Sequence, residues 1–149
     1  MKNEATFTTE EKTLIDSNVL VYAYDLSSTK HAKAEKIIGE FLLNRNGVVS
    51  CQNLAELSRV LCEKIPNKIP FYQVRNIVLE LSENLEVLTY DSHTVADALS
   101  ACDAYGIHFF DALIAATMEN WNVKTIITEN DADFKKIKWI KTINPFVEK

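Results

Sequence analysis

The sequence predicts an α/β protein, a single-domain three-layer α/β/α sandwich on a mainly parallel central sheet. Short β-branched runs alternate with helical stretches of roughly ten to fifteen residues, the pattern of parallel strands joined by crossover helices. Only three glycines and three prolines punctuate the chain, with no low-complexity run or solenoid-period repeat, so elements must follow one another closely. Length supplies the third argument: 149 residues at 47% hydrophobic and 25% charged content suit one core of ordinary size.

Taken in order, MKNEATFTTEEK is polar and lacks a continuous apolar stretch, which reads as a flexible tail over residues 1–12 and leaves 13–149 as the folded domain. TLI at Thr13–Ile15 is too short for a helix and reads as the first strand. Ala34, Ile37, Ile38, Phe41 and Leu42 recur at i, i+3, i+4, i+7 and i+8, one face of a helix. VVS at Val48–Ser50 is a second strand, followed by a helix whose apolar positions are Leu54, Leu57 and Leu61. Phe71, Val74, Val78, Leu81 and Leu85 form another helical stripe, running into a third strand in LEVLT, Leu85–Thr89. Asp91 or Ser92 caps the next helix, which carries Val95, Ala98, Leu99 and Cys102 and stops at Gly106. VKTIIT at Val123–Thr128 is the fourth strand, and KTI at Lys141–Ile143 adds an edge strand. The helical stripes are expected to face the core.

Composition removes several classes. Cys51, Cys62 and Cys102 are odd in number and form no CxxC pair, against a disulfide framework or a zinc knuckle; they read as buried free thiols. No apolar run approaches the roughly 18 residues of a spanning helix, so a soluble cytoplasmic protein with no membrane partner is expected. A formal net charge of −5 argues against coating nucleic acid by bulk electrostatics, but not against a local basic surface around a neutralised acidic site.

In open parallel sheets, functional groups gather beyond the carboxyl ends of the strands. Asp16 directly follows TLI; Asp131 and Asp133 follow VKTIIT in ITENDADF; Glu56 lies a few residues past VVS, on the opening turns of a helix; Asp111 stands in HFFDALIAATM among apolar neighbours. Each has a structural alternative. Asp16 can cap a turn, Glu56 can be a solvated helix residue, Asp111 can be an N-cap, and Asp131 or Asp133 can shape a polar loop. Their joint position at strand exits and adjoining helix starts is what points to one pocket. Clustered carboxylates repel unless a cation neutralises them, and a set without His or Cys favours Mg²⁺ or Mn²⁺ over zinc. Such an ion suits phosphoryl chemistry.

These motifs, in this order from about Thr13 to Phe146, resemble the PIN domain family, most closely its VapC-type toxin ribonucleases. LIDSNVLVYAYD is similar to the family's opening strand, with Asp16 as the first metal-binding acid and Ser17 and Asn18 as the following Ser/Thr-Asn pair. NLAELSRVL resembles the glutamate helix and gives Glu56; HFFDALIAATM resembles the aspartate-alanine helix start and gives Asp111. ITENDADF resembles the family's T-x-N-x-x-D-F element, with Thr128, Asn130 and Asp133 on its polar positions and Asp131 where the family varies. Whether Asp131 or Asp133 stands nearer the metal is left open.

The resemblance implies a Mg²⁺- or Mn²⁺-dependent endoribonuclease, with Asp16, Glu56, Asp111 and Asp133 as metal-binding and catalytic acids and Glu56 or Asp111 as proton acceptor. Ser17, Asn18, Thr128, Asn130 and Asp131 would support them. It also implies an RNA substrate, a homodimer and a cognate antitoxin. The alternative is a PIN-like module that binds RNA or protein without turnover, and DNA cleavage is chemically open because nothing in the sequence reads a 2′-hydroxyl.

RNA attraction would fall to Lys135, Lys136, Lys138 and Lys141, with Arg59 and Lys64 near Glu56, although lysine runs are more often solvated faces. His31, His93 and His108 are scattered; His108, three residues before Asp111, reads as a surface or packing residue more readily than a partner of the site. A phosphoacceptor receiver domain wants paired acids after the first strand, where this chain has Asp16 alone. An EF-hand loop from Asp131 would place Lys136 where glycine is required and Thr142 where the bidentate glutamate belongs.

Overall fold

The computed structural model describes residues 11–147. Strands β1 (Thr13–Ile15), β2 (Gly47–Ser50), β3 (Glu86–Leu88), β4 (Thr125–Ile127) and β5 (Lys141–Ile143) pair in parallel throughout, in the order β3-β2-β1-β4-β5. Helices α1 (Ser17–Tyr24), α2 (His31–Asn44), α3 (Cys51–Glu63), α4 (Phe71–Asn84), α5 (Ser92–Tyr105) and α6 (Phe109–Asn120) fill the connections, and Phe134–Lys136 forms one 3-10 turn.

The two-residue period of the strands divides the core. Leu14, Val48, Leu88 and Ile126 point to one side and pack with Ala98, Leu113, Met118, Phe134 and Ile137. Ile15, Val49 and Ile127 point to the other and pack with Leu20, Phe41, Leu57, Leu61, Val74 and Leu81. Helices α1 to α4 therefore cover one face, and α5 and α6 cover the other. This is the three-layer sandwich. Helix α6 is buried from Ala112 to Met118, as expected of a helix apolar on every side.

Several local expectations shift. VLVYAY after Asp16 is β-branched and aromatic, yet it forms α1, because Asp16 caps the helix and Val19, Leu20 and Val21 are buried against the sheet. The strands are shorter than the runs that predict them: β3 keeps only Glu86–Leu88 of LEVLT, and β4 only Thr125–Ile127 of VKTIIT. Short strands also explain why three stripe residues miss the core. A three-residue strand spans about 10 Å, while a 14-residue helix runs about 21 Å. Leu42, Phe71 and Leu99 overhang it, at 37%, 76% and 57% exposure. The cysteines are free, but Cys51 is exposed and the other two are only half-buried, against the expectation of buried thiols.

Residues 1–10 of the expected tail lie outside the described residues. Its last two members engage the sheet: Glu11 accepts a hydrogen bond from Thr125 Oγ1 at 2.6 Å, and Lys12 pairs with Glu86 at 2.6 Å. Among the described residues no helix is long and apolar enough to cross a membrane.

Two glycines are required by geometry. Gly106 ends α5 in the left-handed region at φ 65°, as the sequence suggests. Gly47 opens β2 where a Cβ would meet Leu85 Cδ2 and Phe41 Cβ at 3.0 Å and Ile15 Cδ1 at 3.1 Å. Gly39, exposed within α2, has nothing within 4 Å of that position. Urea unfolding should find Gly47→Ala destabilised by about 1–3 kcal/mol through overpacking. Gly39→Ala should be stabilised by about 0.5–1 kcal/mol through helix propensity.

Candidate active site

The strand order reverses between β1 and β4. From β1 the chain steps outward through β2 to β3, then returns to place β4 on the other side of β1 and continues to β5. Connections diverge at that switch and leave a crevice beyond the carboxyl ends of the two strands. Asp16 is the first residue past β1 and Thr128 the first past β4.

They meet there, Thr128 Oγ1 donating to Asp16 Oδ2 at 2.7 Å. The same hydroxyl accepts from Asn18 Nδ2 and from the Asn130 N–H, both at 3.1 Å, which uses its one donor and both acceptor positions. Asp16 Oδ1 accepts from the Ser17 N–H at 2.8 Å and from Asn53 Nδ2 at 3.2 Å, while Asn18 Nδ2 stands 3.5 Å from Oδ2. Asn18 Oδ1 takes the Glu129 N–H, tying α1 to the segment after β4. With 5% of its surface exposed, Asp16 has its pKa raised by burial; the Thr128 bond opposes the shift, and the charge of Glu56 adds to it.

Glu56 is positioned by the start of α3. Ser50 and Asn53 form a reciprocal capping box, the Asn53 N–H donating to Ser50 Oγ and the Ser50 N–H to Asn53 Oδ1, each at 3.0 Å. That leaves Asn53 Nδ2 to reach Asp16. One turn on, Glu56 Oε1 accepts from Gln52 Nε2 at 2.7 Å and Oε2 from Ser17 Oγ at 2.9 Å. Gln52 Nε2 also donates to the Phe110 carbonyl at 2.9 Å, which fixes α6 against α3.

Asp111 lies in the first turn of α6, whose N-cap is His108 rather than Asp111 itself. Its pKa is pushed up to about 7, first by burial, then by a hydrogen bond and charge shared with Asp133, then by the charge of Asp16. Asp133 is buried and goes the other way, to about 2, because Oδ2 accepts the His108 N–H at 3.0 Å and stands 2.8 Å from His108 Nδ1. The two carboxyls titrate as a pair, burial favouring the neutral form at Asp111 and the His108 bonds favouring the charged form at Asp133.

Asp16, Glu56, Asp111 and Asp133 are therefore linked through hydrogen bonds and overlapping charge, with Ser17, Asn18 and Thr128 bonded among them. Asn130 contributes its backbone N–H. Asp131 turns away to Lys135 at 2.8 Å. The basic rim also differs from expectation. Lys136 reaches the Gly106 carbonyl and lies 3.8 Å from Asp133, whereas Lys141 opens β5 at the amino-end edge of the sheet, away from the acids. Lys30, not singled out in the sequence, pairs with Glu129 at 2.6 Å beside the crevice.

Gln52 and Asn53 also escape a sequence reading, since two polar residues at a helix start resemble ordinary solvated positions; the Ser-x-x-Asn spacing is the one signal that marks them. The donor set fits a hard divalent ion. Two carboxyls, Asp16 and Asp111, are held above their usual range by burial and by the charge of neighbouring acids, a penalty that a cation removes, and the acids offer oxygen ligands.

The Asp111 shift sets a pH dependence of folding. A folded pKa above the unfolded value makes the group progressively unfavourable as pH rises from about 4 through about 7, whereas stability from Asp133 is present above about 4 and lost as pH falls toward 2. In EDTA, Asp111→Asn should raise the unfolding free energy by about 1–2 kcal/mol at pH 8, a figure reduced for solvent screening, and by almost nothing at pH 4. Chemical denaturation at the two values checks this; a gain independent of pH would assign it to packing instead.

The family model described as PIN domain matches residues 13–140. Comparison with curated proteins gives no match. Among solved structures, a chain of a toxin-antitoxin complex from Klebsiella pneumoniae is similar at TM-score 0.67 and 19% identity, over 91% of this chain and 98% of that one. DNA-bound VapBC from Salmonella typhimurium gives 0.66 and 18%, over 91% and 98%. VapC20 of Mycobacterium tuberculosis, a Sarcin-Ricin loop cleaving toxin, gives 0.64 and 14%, over 83% and 94%. At these identities the structural likeness is one of fold, and the family model spans nearly the whole folded region: this chain belongs to the PIN domain family.

Proposed function

We propose that this protein is a Mg²⁺- or Mn²⁺-dependent endoribonuclease that hydrolyses RNA phosphodiester bonds, the toxin of a toxin-antitoxin pair acting in the cytoplasm. The observation that carries this reading is the meeting of Asp16, Glu56, Asp111 and Asp133, from four distant segments, at the β1/β4 crevice with their charges interacting. These four acids would hold the ion, directly or through water. When bound, it supplies the positive charge that a phosphodiester transition state requires.

The chain's own groups do the positioning. Thr128, Ser17 and Asn53 fix both oxygens of Asp16, so its carboxylate presents one orientation to a ligand. Ser17 and Gln52 do the same for Glu56. Asp111 is the acid whose proton exchanges near neutral pH, the property wanted of a group that takes a proton from an attacking water. Phe110, next to it, is 64% exposed with its backbone clamped by Gln52, a ring available for stacking on an unpaired base. Lys30, Lys135 and Lys136 stand around the crevice, each held by an acid, within reach of a substrate backbone.

The similar structures support the biological role. One is a toxin-antitoxin complex and another a toxin that cleaves the Sarcin-Ricin loop, which argues for an RNA target and a protein antitoxin here. Exposed Phe71, Tyr72 and Leu79 on α4 and Leu99 on α5 support a homodimer or a further protein contact.

Purified protein incubated with a mixed pool of structured RNAs, and in parallel with DNA of the same sequences, in Mg²⁺, Mn²⁺ or EDTA should cut the RNA and only with metal. Asp16→Asn, folded like the parent by circular dichroism, should lose about 10²-fold or more of the rate. Equal cleavage by Asp16→Asn would overturn the site, and cuts in DNA alone would overturn the substrate. Ion binding displaces the Asp111 proton, so calorimetric affinity should fall by up to about tenfold per pH unit below pH 7. An affinity flat from pH 5 to 8 would show that Asp111 stands outside the ion's reach.

A further inference from the structure

We infer that His108 is itself a ligand of the metal held by this site, which gives a mixed nitrogen and oxygen set and a preference for Mn²⁺ over Mg²⁺. The inference rests on the metal-dependent reading of the same site. Among the described residues, one ligand atom from each of His108, Asp111 and Asp133 lies within 4.8 Å of the other two, a span that one ion can bridge.

The geometry is specific. His108 Nδ1 stands 2.8 Å from Asp133 Oδ2, and the His108 N–H donates to that same oxygen at 3.0 Å, so ring and carboxylate are locked together from two directions. Bonds of about 2.1 Å meeting at right angles place neighbouring ligand atoms about 3 Å apart. The His108–Asp133 separation already has that value. To bind a common ion, the two ligand atoms would keep about this separation while the exposed ring turns Nδ1 from the carboxylate toward the ion. The ring's proton then resides on Nε2, leaving the Nδ1 lone pair for the ion.

Packing does not account for the ring's place. The His108 side chain is 91% exposed, while the carboxylate it touches is 10% exposed. The backbone holds it there: His108 is the N-cap of α6 in extended conformation at φ −70° and ψ 148°, three residues before Asp111. A side chain on this cap and one in the first turn converge on the same point.

The consequence is chemical. Carboxylates and water suit Mg²⁺, which demands oxygen ligands and dehydrates reluctantly, whereas an imidazole nitrogen favours first-row transition ions. Mn²⁺ accepts both kinds, so a site with His108 in its shell discriminates where the acids alone would not.

The test uses the full chain with any affinity tag removed, in a buffer free of nitrogen ligands, titrated calorimetrically with Mn²⁺ and with Mg²⁺. Pulsed electron paramagnetic resonance of the Mn²⁺-loaded protein reads nitrogen coupling directly. The parent should show directly bound nitrogen. His108→Ala should lose that signal and weaken Mn²⁺ about tenfold or more, with Mg²⁺ affinity within about twofold. His108→Ser, which offers a side-chain cap that His108 itself does not make, should behave like His108→Ala if the ring is a ligand. Mn²⁺ bound without nitrogen coupling in the parent, or equal weakening of both ions in the variants, would overturn the ligand role and leave the carboxylate site intact. A parent that binds neither ion would overturn the metal reading and this inference together.

Discussion

A carboxylate with 5% of its surface exposed has to be satisfied inside the protein, and the arrangement around Asp16 follows from that demand. Its donors come from α1, α3 and the end of β4, so satisfying one side chain requires three segments to meet at the sheet's switch point. Even with those bonds, burial keeps its pKa raised, and the group retains an unmet need for positive charge. A satisfied core polar group would have closed the matter within the protein. Here the same donors that orient the acid leave its charge uncompensated, a demand that a bound cation would answer.

Much of this was legible from position along the chain. Asp16 and Thr128 follow apolar strands directly, and parallel topology alone sends such residues to one edge. Glu56 and Asp111 could be placed because each lies in the opening turns of a helix. The distinction between Asp131 and Asp133 could not be read, since both occupy the same short loop. It depends on which side chain the 3-10 turn at Phe134–Lys136 directs inward, and that is decided by burial of Phe134. Asn53 and Gln52 were hidden for a different reason: hydrogen bonding between segments 37 and 58 residues apart leaves no local trace.

The stripe residues that miss the core share one cause. Helix periodicity reports which face is apolar but not how much sheet lies beneath it. With strands of three or four residues, Leu42, Phe71 and Leu99 keep the period yet lose the cover. α1 illustrates the converse, because VLVYAY has strand-like composition and is made helical by a cap and by buried contacts, tertiary context overriding propensity.

The capping box at Ser50 and Asn53 has a wider consequence. Asn53 spends its carbonyl oxygen on starting α3 and its amide nitrogen on Asp16. One side chain therefore serves two structural duties, helix capping and carboxylate orientation. Exchange for serine or aspartate would preserve the first duty and forfeit the second, since neither offers an amide N–H. A substitution here therefore weakens the cap, the orientation of the acid, or both. Under the proposed nuclease reading, a change at Asn53 that keeps the box would leave the surface for partners intact while disarming the chemistry.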